Sequence, residues 1–427
     1  MRKWLLPGMS NMLFAIRAPV ALAAYILALR AGVFPWNKFV GTLTLLGGLS
    51  FFVGLIPDYN TLFVSLVGVH SNFFHLPFLF LMAKVMDSEN IRKIGWFFLM
   101  LGIPMAILMI IQFEAGPFSY INMGAGGEEG QQLGSAMGRI RPSGLFAFST
   151  GPAWFYSVVT AFLLYGFFTP KAFPWWLMLS SATALVAALA VSGSRTLVAA
   201  VAIITTCTLI GCCWHPRMLL KFARLVVVLG ILGWAASYVP VVGDGFEVLF
   251  ERFYLASISE GGSGGTAKRI FMSFTPDELF FDAPMLGYGL GTGTSAGMRM
   301  LTERGIDLMR VEGEWDRNMM EGGPILGSLY IIWRICLVTY LGWNALLCAI
   351  KGHMMALPLW AACSLLLLLG QFGPATNLGF AVMIGGLTCA ALREREVSEA
   401  VSADEDENAE EAEEPGQNPD RKILPQT

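Results

Sequence analysis

The sequence predicts an all-α fold: a polytopic transmembrane helical bundle of about 11–12 spans with two large periplasmic loops. Three observations predict it. Uncharged apolar runs about 20 residues long, enough to cross a hydrocarbon core as helices, recur along nearly the whole 427-residue chain. Hydrophobic residues make up 55% and charged residues 14% of the composition, against about 25% charged in average soluble domains. The basic residues gather at the ends of alternate runs, as cytoplasmic connections require. In lipid every backbone polar group must be paired internally, and the weak alternation of outer-membrane strands is missing, so the runs read as helices.

Taken in order, spans are expected near residues 12–30, 39–56, 61–83, 92–113, 151–168, 173–191, 196–214, 222–242, 322–350, 354–371 and 374–392. Arg30 with Lys38 closes the first connection on the cytoplasmic side, and Lys84 with Arg92 and Lys93 the third. Lys171, then Arg217 with Lys221 and Arg224, then Lys351, then Arg393 and Arg395 continue the alternation. This parity places residues 114–150 and 243–321 outside, together with the short turn that holds Arg195. It also places Met1 to Lys3 outside, against the positive-inside tendency, so residues 4–17 are expected to form an extra half-span or to lie in the interface. No short apolar run with a small-residue cleavage site follows Lys3, so no removable signal peptide is expected. The membrane domain is read as residues 1–395 and the rest, 396–427, as a disordered acidic cytoplasmic tail. The tail's Asp404, Glu405, Asp406, Glu407, Glu410, Glu411, Glu413 and Glu414 produce the net charge of −3 by cancelling a mildly basic core.

Seven cysteines fall in or beside apolar runs, the ordinary place for a small buried thiol, and no spacing suggests a metal site or a disulfide framework. His70 and His75, with Asn72 between them, sit in the third run. Five residues is a poor α-helical spacing for two ligands of one metal, so a bundle-facing polar patch is expected. Gly287-Tyr288-Gly289-Leu290-Gly291-Thr292-Gly293 has the look of a phosphate loop, but no strand-turn-helix unit surrounds it, and that reading is rejected. No Walker loop, zinc motif or Asp-x-Asp metal motif is present, so neither a cofactor nor nucleic-acid binding is expected.

Three constellations can carry chemistry. Gly138-Arg139-Ile140-Arg141-Pro142-Ser143-Gly144 holds two guanidiniums on a stretch stiffened by Pro142 and turned by Gly144. Arginine's planar fork of donors suits phosphate oxygens, although lipid headgroups or Glu128 and Glu129 could equally occupy it. Ser192-Gly193-Ser194-Arg195-Thr196 puts an arginine between two tight apolar runs, where it needs an anionic partner, a ligand or a lipid phosphate. Glu312, Glu314, Arg317, Asn318 and Glu321 precede the run that begins at Ile325. On a helix Glu314, Arg317, Asn318 and Glu321 share one face and line the mouth of a span, or else form a self-satisfied ladder.

In this order and on these sides of the membrane, the residues resemble the O-antigen ligase and O-antigen polymerase superfamily, and within it the exopolysaccharide polymerase-like members. The resemblance is carried by Leu76-Pro77-Phe78-Leu79-Phe80 before a basic loop, Gln112, Arg141-Pro142-Ser143-Gly144, and Ser192-Gly193-Ser194-Arg195 followed by a long outer loop closing with Glu321-Gly322-Gly323. It spans roughly residues 75–395. The resemblance implies a metal-independent, inverting glycosyltransferase of the inner membrane, acting at the periplasmic face without a cofactor. Its substrates would be an undecaprenyl-diphosphate-linked glycan and an acceptor glycan, and a flippase and a chain-length regulator its partners. It assigns the donor diphosphate to Arg141 and Arg195, with Arg139 and Arg269 beside them. Where many members carry a His-Asn pair, nine residues before the closing Glu, this chain has Glu312-Gly313, which makes Glu312 or Glu314 the candidate base and groups Arg317 and Glu321 with them. A multi-span transporter or flippase for lipid-linked sugars is the alternative; it should carry charges along the bundle axis at several depths. A scaffold for a synthesis complex would tolerate loss of any one arginine.

Overall fold

The structure, a computed structural model, describes residues 3–4, 7–9, 16–124, 134–259, 283–308, 311 and 313–393. Among the described residues all regular structure is helical, apart from a single isolated bridge between Gly134 and Ile140. The order is α1 (Arg17–Arg30), α2 (Lys38–Gly54), α3 (Leu62–Val69), a π-helical turn (His70–Phe74), α4 (Pro77–Val85), α5 (Ser88–Glu114), α6 (Thr150–Phe168) and α7 (Trp175–Val191). It continues with α8 (Arg195–Cys212), α9 (Pro216–Ser237), α10 (Pro240–Ser259), α11 (Ser295–Thr302), α12 (Glu314–Ile350), α13 (Ala356–Leu369) and α14 (Ala375–Arg393).

Local chemistry explains the starts. Asn37, Thr61, Asp87, Ser194 and Thr294 each accept a backbone N–H of the first turn of α2, α3, α5, α8 and α11. Pro77 and Pro216 open α4 and α9, where a missing N–H costs nothing. α6 is the core helix: residues from Gly151 to Leu164 are buried without a break, as expected of a helix apolar on all sides. It packs against α5, α7, α8 and α13.

Among the described residues seven helices are long and apolar enough to cross a membrane: α3 through α4 taken as one, α5, α6, α8, α9, α12 and α14. α2, α7 and α13 are apolar but shorter, and the expected eleven is reached only by adding these three and α1. Contacts sort the helix ends into two groups. At one end Arg393 donates to the carbonyls of Ala83 (2.8 Å) and Lys84 (2.6 Å), the His215 ring meets Ile350 O at 3.1 Å, and Phe168 stacks on Phe222. At the other, Lys3 Nζ donates to Ser143 Oγ (2.7 Å), Trp4 Nε1 to Tyr120 O (3.1 Å) and Tyr59 OH to Tyr288 O (3.0 Å). The first is the basic end of the sequence reading, the second its loop end; the N-terminal Lys3 lies with the loops, as the parity requires.

Two expected spans are drawn differently. Residues 222–242 do not form one helix: α9 starts at Pro216 and stops at Ser237, and α10 begins at Pro240 as a separate element. The span expected from 322 starts as a hairpin. Gly323 takes φ 64° and ψ −177°, which breaks α12, and residues 314–322 fold back along 324–334. A Cβ on Gly327 would stand 2.6 Å from Asn318 O, Ser328 Oγ lies 3.8 Å from Met319 Sδ, and Arg334 reaches Glu314. Glu314 is therefore beside a residue ten positions below Pro324, about 15 Å down the helix. The charges expected at the mouth of a span are inside the bundle.

Candidate functional site

The buried network is built on the hairpin. Arg317 donates to Glu314 through Nε (2.9 Å to Oε2) and Nη2 (2.8 Å to Oε1), to Glu321 Oε1 (2.8 Å) and to Asn72 Oδ1 (2.8 Å). Arg334, with no exposed surface, donates to Glu314 Oε1 (2.6 Å), Leu367 O (2.7 Å) and Gly370 O (2.9 Å), its guanidinium lying 4.2 Å from the centre of the Phe372 ring. Asn72 Nδ2 donates to Glu321 Oε2 (3.2 Å) and Gly293 N to Glu321 Oε1 (3.1 Å). Two arginines meet two glutamates, so the set is neutral. Such a cluster costs several kcal/mol per ion to desolvate and is tolerable only because partners are matched. Arg334 also supplies donors to carbonyls at the end of α13, which stops after 14 residues and would otherwise leave acceptors unpaired in an apolar setting.

The π-helical turn makes this possible and corrects the sequence reading of the histidines. Five residues is a poor α-helical spacing, but a π-helical turn bonds i to i+5 and swings residues five apart towards one face, so His70 and His75 come together with Nε2 atoms 3.1 Å apart and rings 4.7 Å apart. The same turn directs Asn72 to Arg317 and Glu321. Among the described residues no group of three metal-ligating side chains occurs.

The glycine segment is a packing element. Tyr288 N donates to Met320 O (2.8 Å) and Gly289 N to Glu321 O (3.1 Å), so these N–H groups are not open to a phosphate. A Cβ on Gly68 would lie 2.5 Å from Gly291 N and one on Gly54 2.9 Å from Leu290 N. Only glycines allow the segment to lie against α2, α3 and the hairpin.

The second place is at the loop end. Arg141 comes from the strip before α6, Arg195 is the first residue of α8 and Arg252 comes from α10, and their charges are near enough to act on Arg141 and Arg252. Burial and the neighbouring Arg195 charge lower the pKa of Arg141; burial, then Arg141 and Arg195, push that of Arg252 down to about 10. Arg252 Nη1 donates to Gly193 O, and Arg141 Nε to Gly134 O (3.0 Å). Gly193 takes φ 50°, which shapes the turn, and Ser135 Oγ beside it is buried without a hydrogen-bond partner. Among the described residues no carboxylate comes within ion-pairing distance of Arg141 or Arg252. Three cations held this close, two of them without a carboxylate partner among the described residues, make this the candidate anion site.

Of the residues singled out in the sequence, Arg141 and Arg195 converge. Arg139 does not share their setting: it pairs with Asp244 (3.4 Å) and Glu114 (3.5 Å), with its guanidinium 4.9 Å from the centre of the Phe113 ring. Glu314, Arg317 and Glu321 are together, buried, in the neutral network. Glu312 and Arg269 lie outside the described residues. Sequence reasoning missed Arg252, hidden in what read as outer loop, and Arg334. Arg334 gave a usable signal, a lone charge inside an apolar run. Comparison with known proteins finds no matching family model, no similar curated protein and no similar solved structure.

Proposed function

We propose that this chain transfers or polymerises undecaprenyl-diphosphate-linked oligosaccharides at the extracytoplasmic face of a bacterial inner membrane, in the manner of the O-antigen ligase and polymerase superfamily it resembles. The observation that carries the reading is the convergence of Arg141, Arg195 and Arg252 at the loop end, without a balancing carboxylate on Arg141 or Arg252 among the described residues. The alternating basic connections favour that end as the outer one.

In the proposed reaction an acceptor hydroxyl attacks the anomeric carbon of the donor as the bond from that carbon to the diphosphate oxygen breaks. Configuration inverts, the hydroxyl proton passes to a carboxylate, and the polyprenyl diphosphate leaves with the bonding pair. The guanidiniums neutralise the charge that develops on the leaving oxygen, a role for which fixed donors in a water-poor site suffice. The carboxylates of Glu314 and Glu321 are taken up by arginine donors inside the bundle; we assign the base to Glu312, which lies outside the described residues, and to the network the fixing of the hairpin. A groove of about 560 Å³ between α5 and α7, lined by Ile103, Ile107, Ile110, Leu179 and Ala187, suits the polyprenyl tail. Its Ile110 and Ala187 pack with Val242 and Phe246 of α10, the helix that carries Arg252.

Transport of the same lipid-linked sugars is the second reading, favoured by the charges inside the bundle. Their neutrality and mutual hydrogen bonds leave no open cation to escort a diphosphate, so we rank it second. Arg195→Lys decides on the arginine: a point charge cannot reproduce the fork, and the variant should make no polymer at normal protein level. Lipid-linked units should then accumulate on the outer face. Accumulation on the inner face supports transport, and wild-type polymer removes Arg195 from the site.

A further inference from the structure

We propose that the protein holds an anionic phospholipid at its basic end, with one acyl chain in the cleft between α9 and the α6–α8 layer and the headgroup on Lys171, Lys221 and Arg224. This is independent of the reading of the arginines at the loop end.

The cleft is there because α9 stands off the bundle. Of its 22 residues only Phe222 is buried, although the helix is long and apolar enough to span. Phe222 stacks on Phe168 near the basic end, ring centres 6.4 Å apart and 8° from parallel. Beyond that anchor the two layers part, leaving a cavity of about 380 Å³, at the lower end of the roughly 300–1,000 Å³ typical of small-molecule sites. Leu163, Phe173, Met178, Leu185, Leu225 and Leu229 line it. Its two threonine hydroxyls are already bonded within their own helices, Thr160 to Tyr156 O at 2.7 Å and Thr205 to Val201 O at 2.6 Å. A lining with no free polar group asks for hydrocarbon.

The charge at the rim says which hydrocarbon. Arg217, Lys221 and Arg224 follow one another at i, i+4 and i+7, along one face of α9 beside Phe222. Lys171 lies in the α6–α7 connection between Phe168 and Phe173, which touch Phe222 and the cavity respectively. Among the described residues none of these four meets a carboxylate. Two other cations of the same end are engaged: Arg393 binds the carbonyls of Ala83 and Lys84, and Lys93 pairs with Glu89 at 2.7 Å. Trp175 and Trp176, both exposed, stand at the same level, as interfacial anchors do. A basic rim above an apolar slot between spans matches an acidic headgroup with its chain.

The test uses the full chain in detergent. Native mass spectrometry of the purified protein should show one retained anionic phospholipid. Added dipalmitoyl phosphatidylglycerol should bind more tightly than dipalmitoyl phosphatidylcholine, and more tightly than dihexanoyl phosphatidylglycerol, which keeps the headgroup and lacks the chain. Lys221→Gln with Arg224→Gln should weaken phosphatidylglycerol binding roughly 25-fold, about five-fold per charge, and Ala182→Phe should weaken it by filling the slot. Equal binding of the two headgroups or of the two chain lengths by the unmodified protein overturns the proposal, and so does retention of a polyprenyl lipid instead.

Discussion

Replacing Arg334 by leucine tests whether the hairpin network holds the fold. The substitution removes three hydrogen bonds, to Glu314 Oε1, Leu367 O and Gly370 O. It also leaves two buried glutamates facing one arginine. Breaking a buried pair from one side costs about 3–5 kcal/mol, largely because the remaining charge is uncompensated, and each orphaned carbonyl adds about 1–3 kcal/mol where water cannot reach it. Arg334→Leu should therefore lower stability by at least about 3 kcal/mol. Adding Glu314→Leu restores neutrality, with Arg317 still bound to Glu321 at 2.8 Å, so the double variant should be more stable than the single by over about 1 kcal/mol. Reversible unfolding by sodium dodecyl sulfate in bicelles measures both. A single variant within about 0.5 kcal/mol of the parent, or a double variant no better than the single, refutes the reasoning.

Gly323→Ala should cost about 1–3 kcal/mol in the same assay, since its backbone conformation is nearly exclusive to glycine and a Cβ would stand 2.5 Å from Gly287 N. Gly230→Ala, inside α9 with nothing within 4 Å of the new atom, is the control and should not lower stability. Arg139→Gln should cost under about 1 kcal/mol, because its partners are half exposed and at 3.4–3.5 Å; a loss as large as that of Arg334→Leu would contradict this. Burial pushes Lys3 down to about 8 from 10.5, so the folded state binds this proton less tightly than the unfolded one. Docking of the N-terminal segment should accordingly strengthen as pH rises from about 8 towards 10.5, read by hydrogen exchange around Ser143, and Lys3→Met should flatten the profile.

Helices that run unbroken between basic and outer ends, such as α5 and α6, were legible because apolar length alone specifies them. The α12 hairpin was not. Gly322-Gly323-Pro324 reads equally as the start of a span, and the turn depends on partners far away in sequence: Asn72 in the π-helical turn and the glycine segment at 287–293. The contact between His70 and His75, within what read as a polar patch, was hidden for the same reason, because an α-helical period was applied where the turn around Asn72 is π-helical. The arginines were legible singly, since Arg141 and Arg195 sit on stiff or tight turns. Their third companion was not, because nothing local in Phe250-Glu251-Arg252 marks a residue whose partner is Gly193.

The central claim is that Arg141, Arg195 and Arg252 form one anion site, and calorimetric titration of the purified full chain with inorganic pyrophosphate tests it most directly. Arg141→Gln and Arg252→Gln should each weaken binding at least about ten-fold, each being worth at least about 1.4 kcal/mol, and the pair should show a coupling above about 0.5 kcal/mol, as residues sharing one ligand do. Binding unchanged by either substitution, or no pyrophosphate binding by the parent protein, would contradict the account.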